Sequence, residues 1–213
     1  MSTPRLGAVL LFCGVLACRG KPSDPAYRYL TGLGEKYTPK ELADTTMLML
    51  KDKAVTDEGL PTLKGLAKLQ WLSLEGTKVT DQGLACLADL PRLEILDLAR
   101  DPITDAGVAH VGKLENLRGL GLAGTNVTDA GLAHLQGLGN LEAIHLAHTG
   151  ITDAGLVHLH GLVRLRKINL SATRVTDAGV SALEAALPGI KVIWRDPTVT
   201  PARADAARVS PPH

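Results

Sequence analysis

One tripeptide, Val/Ile-Thr-Asp, recurs six times in this chain of 213 residues, and every interval between copies is 24 residues. The copies begin at Val55, Val79, Ile103, Val127, Ile151 and Val175. When each unit is numbered from that residue, position 3 is aspartate, position 5 is glycine, and positions 6, 9, 12, 15, 18 and 20 are almost all apolar. Regular repeats of this kind are typical of solenoids, in which one unit cannot bury its apolar face alone. The chain is therefore predicted to be a stack of units that shield one another.

The apolar spacing changes within each unit, and this change predicts the local structure. Positions 6, 9 and 12 recur every three residues after Thr-Asp, which indicates a helix whose start is capped by a side-chain oxygen. Positions 18 and 20 are two apart, which is the period of a strand. Strands joined through a helix must be parallel, and such crossovers are right-handed. Because strands stack about 4.8 Å apart and helices about 8–10 Å apart, we expect a bent stack with the strands on its concave side.

The repeat Leu-x-x-Leu-x-Leu-x-x-Thr-x-Val-Thr-Asp-x-Gly-Leu resembles the leucine-rich-repeat family over about residues 45–194. Its Val-Thr-Asp-Ala-Gly-Leu start is similar to the bacterial, ribonuclease-inhibitor-like branch of that family. The resemblance implies an α/β fold, a right-handed leucine-rich-repeat solenoid with parallel β-strands on the concave face and α-helices on the convex face.

The family's usual Asn or Cys after the strand is replaced in this chain. The residues found there are Thr77, Asp101, Thr125, Thr149 and Thr173. A threonine hydroxyl can still hydrogen-bond the backbone of the turn. We therefore expect a ladder of side-chain hydrogen bonds with a shorter reach, and no loss of the fold.

Both ends of such a stack need a cover, because the outermost units expose their cores. We assign residues 27–44 to an N-terminal cap that contains a helix starting at Thr38-Pro39, with Glu41 completing a capping box. The solenoid follows over 45–194, where Trp194 is large enough to close the far end. Residues 195–213 are rich in Pro and Ala and are predicted to be a disordered tail.

The first residues have the layout of an export signal. Arg5 precedes an apolar run that is shorter than the roughly 20 residues needed to span a bilayer. The run ends Val-Leu-Ala-Cys at Cys18, which resembles a bacterial lipobox; in that family the cysteine becomes the first mature residue and carries lipid. The resemblance implies a signal peptide over 1–17, a lipidation site at Cys18 and a tether over 18–26.

In the lipoprotein family, the residue after the lipidated cysteine directs sorting, and Arg19 there implies the outer membrane. We thus expect an exported protein of the bacterial cell envelope, attached to the membrane through the lipid anchor only. Two alternatives remain open. One is an ordinary signal peptide cut after Ala17, which gives a periplasmic or secreted protein, and the other is an uncut anchor.

The net charge and the aromatic content of the chain limit the kinds of molecule that it is expected to bind. The chain has 23 basic and 22 acidic residues, a net charge of +1, and only 3% aromatic residues. Nucleic-acid binders usually carry a basic surplus or aromatic stacking platforms, so no nucleic-acid partner is expected. Cleavage before Cys18 leaves Cys86 as the one other thiol of the mature chain, which excludes an internal disulfide framework.

Strand positions 17, 19 and 21 point away from the core and pave the concave face. The candidate binding residues there are Trp71, Ser73, Glu75, Ile95, Asp97, His145, Lys167 and Asn169. Small residues such as Gly119, Gly121 and Ala143 lie between them and predict a shallow trough that could receive a polypeptide. We expect a non-enzymatic module that binds an unidentified protein partner through this face. The alternatives are a merely solvated face, and a structural envelope protein that self-associates through the solenoid ends.

Three groupings suggest catalysis or metal binding, and each has a simpler explanation. Asp97 and His145 would lie two strands apart, roughly 10 Å, so a catalytic set with Ser73 is not expected. Histidine and cysteine share position 8 on the convex outside, where helices about 8–10 Å apart cannot bring their ligand atoms to one zinc ion. These residues are Cys86, His110, His134 and His158.

The aspartates of position 3 could suggest calcium. However, each is expected in the first turn of a helix, where the exposed N–H groups and the helix dipole favour a carboxylate without any ion. The glycine of position 5 is predicted to permit close helix approach in the stack. No catalytic residue, metal or cofactor is therefore predicted, and an enzyme or metal-binding protein is the least favoured alternative.

Overall fold

Seven short strands form one parallel sheet in the computed structural model, which describes residues 24–194. The strands follow each other in chain order, and each residue pairs with the residue 24 positions later, as Leu72 does with Leu96. The strands are β1 Met47–Met49, β2 Trp71–Ser73, β3 Ile95–Asp97, β4 Gly119–Gly121, β5 Ala143–His145, β6 Lys167–Asn169 and β7 Lys191–Ile193. The predicted α/β solenoid with one unbroken strand ribbon is confirmed.

Short helices form the convex side of the units. They are α3 Asp81–Leu84, α4 Asp105–Val111, α5 Asp129–Ala133, α6 Asp153–Leu156 and α7 Asp177–Ala186, and two helices precede the ribbon, α1 Pro25–Gly32 and α2 Pro39–Asp44. Several units also contain a 3₁₀ segment: Leu60–Gly65, Ala85–Asp89 and Val157–Leu159. The expectation of one regular helix in each unit is therefore only partly right.

The spacing of the apolar residues bears on this difference. Leu84, Leu87 and Leu90 are all buried and lie three residues apart, which matches the three residues per turn of a 3₁₀ helix. In the last unit the buried Leu183 and Leu187 are four residues apart, and α7 is a regular helix of 10 residues. Val108, Val111 and Leu114 have the same three-residue spacing but belong to the α-helical unit of α4, so this spacing permits 3₁₀ turns and does not by itself decide the helix type.

The core is one continuous apolar cluster between the ribbon and the helices. Strand residues at positions 18 and 20, such as Leu96 and Leu98, are fully buried and join helix residues such as Leu87 and Leu132 in it. Burying a leucine contributes about 1.5–3 kcal/mol, but only where a neighbouring unit covers it. The units therefore stabilise one another, as the repeat predicts.

The aspartate of position 3 ties each unit to the next. The backbone N–H and the hydroxyl of Thr80 donate to the two carboxylate oxygens of Asp57, at 2.8 and 2.6 Å. The same pair of bonds recurs at Asp81–Thr104, Asp105–Thr128, Asp129–Thr152 and Asp153–Thr176. The carboxylate does lie in the first helical turn, but the threonine of position 2 is the N-cap. The sequence-based role was therefore incomplete, because these aspartates join neighbouring units.

The glycine of position 5 makes room for this carboxylate. A Cβ atom at Gly83 would lie 2.3 Å from Oδ1 of Asp57, and one at Gly107 would lie 2.3 Å from Oδ1 of Asp81. The predicted close approach is present, and the approaching group is the aspartate of the preceding unit. Aspartate, threonine and glycine therefore act as one joint between units.

The N-terminal cap starts earlier than expected. Asp24 caps α1 by accepting a bond from the N–H of Ala26, and Ala26 is fully buried. The boundary at residue 27 was wrong, because the Asp-Pro start of α1 lay inside the expected tether of 18–26. The predicted capping box of α2 is present, with Glu41 N–H donating to Thr38 Oγ1 and Thr38 N–H donating to Glu41 Oε2.

Several expectations lie outside the described residues: the signal peptide over 1–17, lipidation at Cys18 and the tail over 195–213. At the C-terminal end, Val192 and Trp194 are half-buried and pack against the apolar core. None of the helices between residues 24 and 194 is both long and apolar enough to cross a bilayer.

Candidate functional site

The residues at strand position 17 form a column in register across all seven strands, here called the position-17 column. Its members change from large and apolar to small and then to cationic: Met47, Trp71, Ile95, Gly119, Ala143, Lys167 and Lys191. Their neighbours at position 18 point into the core, so the strand alternation places this column on the concave face.

The N-terminal end of the concave face exposes apolar side chains. Met47 and Met49 are 46% and 45% exposed, and beside them lie Ile95 at 36% and the half-buried Trp71. Grouped apolar exposure of this kind marks an interaction surface more often than single exposed residues do. The two methionines were absent from the sequence-predicted set, although Leu48 is in phase with the later strand leucines and its neighbours therefore point outwards.

A depression of about 280 Å³ opens in the middle of the face and is the predicted trough. Gly119, Gly121 and Ala143 are among its lining residues, and the atoms nearest to a Cβ at Gly119 would belong to Ile95, at an ordinary contact distance of 3.4 Å. Six of the predicted binding residues also line it: Trp71, Ile95, Asp97, His145, Lys167 and Asn169. The volume lies at the lower limit of about 300 Å³ for small-molecule sites, and the depression is open. It has room for a side chain of an extended chain.

Two predicted residues are less available than expected. Ser73 is 1% exposed, and its hydroxyl has no hydrogen-bond partner among the described residues. This burial speaks against the predicted place of Ser73 on the binding surface, because its side chain is much smaller than those of its register neighbours Met49 and Asp97. Glu75 is held by Lys51 at 2.9 Å and by Arg100 at 3.0 Å, and Lys51 lowers the pKa of its carboxyl.

A neutral histidine lies beside a lysine at the far side of the trough. Partial burial lowers the pKa of His145; the charge of Asp97 opposes this shift, and the charge of Lys167 acts with it. Nδ2 of Asn169 lies 2.8 Å from Nε2 of His145, which fits a neutral ring accepting a hydrogen bond at that nitrogen. At neutral pH this wall of the trough therefore presents a cation and an uncharged polar pair.

The structure places the possible catalytic and metal-binding groups apart from one another. Asp97 is on β3 and His145 is on β5, with Gly121 of β4 between them in register, and Ser73 is buried. At position 8, Nδ1 of His158 is 2.7 Å from the amide nitrogen of Gln136. Within residues 24–194 no group of three His, Cys, Asp or Glu side chains is arranged to hold a metal ion.

A second polar depression, of about 560 Å³, follows the N-terminal ends of the strands. Arg118 lies within it between Glu94, at 3.4 Å, and Glu142, at 2.8 Å. Asn140 and Arg164 are also hydrogen-bonded to each other. Because these charged groups already have partners within the chain, this edge has less to offer a ligand than the concave face has.

Asp101 is an unusual buried carboxyl, which the sequence showed only as one of the residues that replace the family's usual Asn or Cys. It is 2% exposed, and its Oδ1 accepts bonds from the N–H and hydroxyl of Thr77 at 2.6 and 3.1 Å. Its Oδ2 is buried without a partner among the described residues, and burial raises the pKa of Asp101 to about 7.

The threonines of the same position behave as expected. Thr125, Thr149 and Thr173 donate to the carbonyl three residues earlier, at 2.6–2.7 Å. These bonds stay within the turn of their own unit, so the shorter-reaching ladder is confirmed for these three residues.

Comparisons with known proteins agree with this geometry. A family model described as a leucine-rich repeat matches residues 140–159. A search of the curated proteins found no match. Among solved structures, an internalin (inlF) from Listeria monocytogenes is 19% identical with a TM-score of 0.53, and the match covers 81% of this chain and 55% of that one.

An internalin C2 (inlC2) from the same organism is 21% identical with a TM-score of 0.54, and the match covers 81% of this chain and 92% of that one. The present chain thus spans about half of the first internalin and most of the second. At these identities the likeness concerns the fold of the chain.

Proposed function

We propose that this chain, which has the leucine-rich-repeat fold, is a non-enzymatic module that binds a protein partner through its concave face. The fold supports a role in protein interaction in general. The observation that carries the more specific proposal is the group of exposed apolar residues, Met47, Met49, Trp71 and Ile95, beside the trough.

The physical reasons are burial and preorganisation. Apolar surface removed from water contributes about 25 cal/mol per Å², and tryptophan beside a depression is a frequent energetic centre of interfaces. The face is built on seven strands in continuous register, so little of it must be ordered when a partner binds.

Export and lipid anchoring complete the proposal, and they rest on the sequence of residues 1–19. The lipid on Cys18 would hold the protein at the envelope membrane, and the residues before Asp24 would separate the solenoid from that membrane. The binding face would then be presented to proteins of the envelope, with the outer membrane as the proposed location.

Site-specific photo-cross-linking in the cells that encode the protein tests the binding face. A photoreactive residue in place of Ile95 should give a defined adduct, and Gly119→Trp should abolish it by filling the trough. Val163, which is 71% exposed and is not a strand residue, is the control position and should give no such adduct. Equal adducts at both positions, or an adduct at Ile95 that persists in Gly119→Trp, would contradict the proposal.

Fatty-acid labelling tests the anchor. Cys18→Ala should abolish both incorporation of labelled fatty acid and partition into detergent, whereas Cys86→Ala should leave both unchanged. A Cys18→Ala protein that is still labelled would show that the anchor proposal is incorrect.

Self-association through the solenoid ends remains the second candidate function. It is favoured by β7, whose outer edge has no neighbouring strand in the part of the chain that the structure describes. Sedimentation over a range of concentrations tests it. Assembly that Trp194→Ala abolishes and Trp71→Ala leaves unchanged would favour this candidate over binding at the concave face.

A further inference from the structure

The position-17 column has chemically different ends, and we propose that they select the partner's binding segment. The segment is an extended polypeptide that crosses the strands along this column, with bulky apolar side chains over Met47, Trp71 and Ile95 and acidic side chains at Lys167 and Lys191. This inference rests on the proposed function and adds the chemistry and direction of the bound segment.

The cationic end lacks counterions. Lys167 and Lys191 are register neighbours on β6 and β7, both are exposed, and neither strand contains a carboxylate. Among the residues of the described segment neither lysine forms an ion pair, whereas Lys51, Lys53, Lys64 and Lys68 each do. Like charges on adjacent strands repel each other, and carboxylates of a ligand would relieve that repulsion.

The side of the column towards the apolar end carries a carboxylate of its own, that of Asp97, and this fixes the direction of the segment. Asp97 lines the trough, and its Oδ1 would be 2.2 Å from a Cβ atom at Gly121, so this carboxylate lies across the glycine. Glu75 and Asp52 lie on the same side, but Lys51 and Arg100 balance their charges, which leaves Asp97 as the carboxylate that acts on the segment. An acidic segment reversed on the column would bring its carboxylates towards Asp97 and away from the lysines.

The strand spacing gives the length of the segment. Trp71 and Lys167 are four strand intervals apart, which is about 19 Å at a spacing of about 4.8 Å. An extended chain advances about 3.3 Å per residue, so about six residues separate its apolar and acidic side chains. A side chain between them would lie over Gly119 and Ala143, where the residues of the column have the smallest side chains.

The same charges disfavour a nucleic acid along this column. Its phosphates would approach Asp97 in the trough, and Trp71 is the one aromatic residue that the seven strands place on this face within the described residues. A polypeptide with one acidic end matches both ends of the column, whereas a uniform polyanion matches only the lysines.

Selection from a displayed library of random 12-residue peptides on the purified full chain tests the inference. The enriched peptides should carry a bulky apolar residue about six positions from one or two acidic residues. Fluorescence anisotropy with one such labelled peptide then gives the affinities. Lys167→Glu combined with Lys191→Glu should weaken binding about tenfold, since each exposed ion pair contributes about threefold.

A matched control variant has the same net charge as the Lys167→Glu, Lys191→Glu variant. Lys78→Glu combined with Lys113→Glu changes two other exposed lysines and should alter the affinity less than about twofold. The peptide with lysines in place of its acidic residues should prefer the charge-reversed Lys167 and Lys191 variant over the natural chain. Circular dichroism of each variant verifies that the solenoid is intact.

The outcomes separate this inference from the proposed function. Enriched peptides that need Trp71 but lack acidic residues and ignore the charge reversal would overturn the inference and leave binding at the concave face standing. Peptides that bind Trp71→Ala and Gly119→Trp as well as they bind the natural chain would overturn both. A library that yields no binder counts against the inference, because the column is then no peptide site.

Discussion

Replacing Asp101 with threonine should stabilise the solenoid above neutral pH. Asp101 is buried with its Oδ2 unpaired, while three other units have a buried or half-buried threonine bonded within its own turn. In Asp101→Thr the new hydroxyl would donate to the carbonyl of Leu98, as its counterparts do to theirs. The hydroxyl of Thr77 could then form a hydrogen bond within the turn of its own unit.

The magnitude follows from the proton that the buried carboxyl retains. Burial raises its pKa from 3.8 to about 7, about three units, and each unit corresponds to about 1.4 kcal/mol. The folded chain thus binds more protons than the unfolded chain between about pH 4 and 7, so the free energy of unfolding falls as pH rises through this window. The ionised carboxylate would destabilise the fold by about 4 kcal/mol above pH 7, and the substitution removes this effect.

Urea unfolding followed by circular dichroism at pH 5 and pH 8 measures this effect. The difference in unfolding free energy between Asp101→Thr and the natural chain should grow by about 2–3 kcal/mol from pH 5 to pH 8, because only the two units below pH 7 contribute. Groups that titrate in both proteins cancel in this difference. Thr149→Asp is the reciprocal control, because it places a carboxyl in an equivalent buried turn and should introduce a similar pH dependence. Equal pH dependence in the natural chain and in Asp101→Thr would refute the reasoning.

Three further predictions concern the joint between units and the trough. Asp105→Ala removes two bonds to the threonine of the next unit and should lower the unfolding free energy by about 2 kcal/mol in urea titrations. Gly107→Ala should destabilise by at least about 1 kcal/mol through its clash with the preceding carboxylate, whereas Gly137→Ala, with open space around it, should change stability by less than about 0.5 kcal/mol. Gly119→Ile should keep the thermal midpoint within a few degrees, because larger residues occupy the same column elsewhere, yet abolish the Ile95 adduct.

The ribbon and its core could be predicted because a fixed period leaves little choice. With every interval 24 residues long, pairing Leu72 with Leu96 obliges all later strands to pair in the same register. The helices were harder to predict, since three-residue apolar spacing is compatible with both α and 3₁₀ turns, and packing between units decides between them. The cap boundary was missed because Asp24-Pro25 was taken as part of the tether.

For the candidate site, the sequence predicts which side chains point outwards but not how accessible each of them is. Alternation along a strand fixes that Trp71 and Ser73 both point outwards, but the size of the neighbouring side chains decides that only Trp71 remains accessible. Likewise, the aspartate of position 3 could be placed in a helical turn from the sequence. Its bonds to a threonine 23 residues later depend on how closely two units approach, which no single unit encodes.

The repeat itself indicates where partner specificity can reside. Positions 3, 5, 18 and 20 are nearly constant because the joint between units and the core require the same residue type in every copy. The outward-facing strand positions have no such requirement and vary from copy to copy; at position 17, tryptophan, isoleucine, glycine, alanine and lysine succeed one another along the ribbon. Since identical scaffolding cannot distinguish one partner from another, recognition must depend on the positions at which the units differ. The graded chemistry of this column is therefore the part of the solenoid through which substitutions can change the partner without changing the fold.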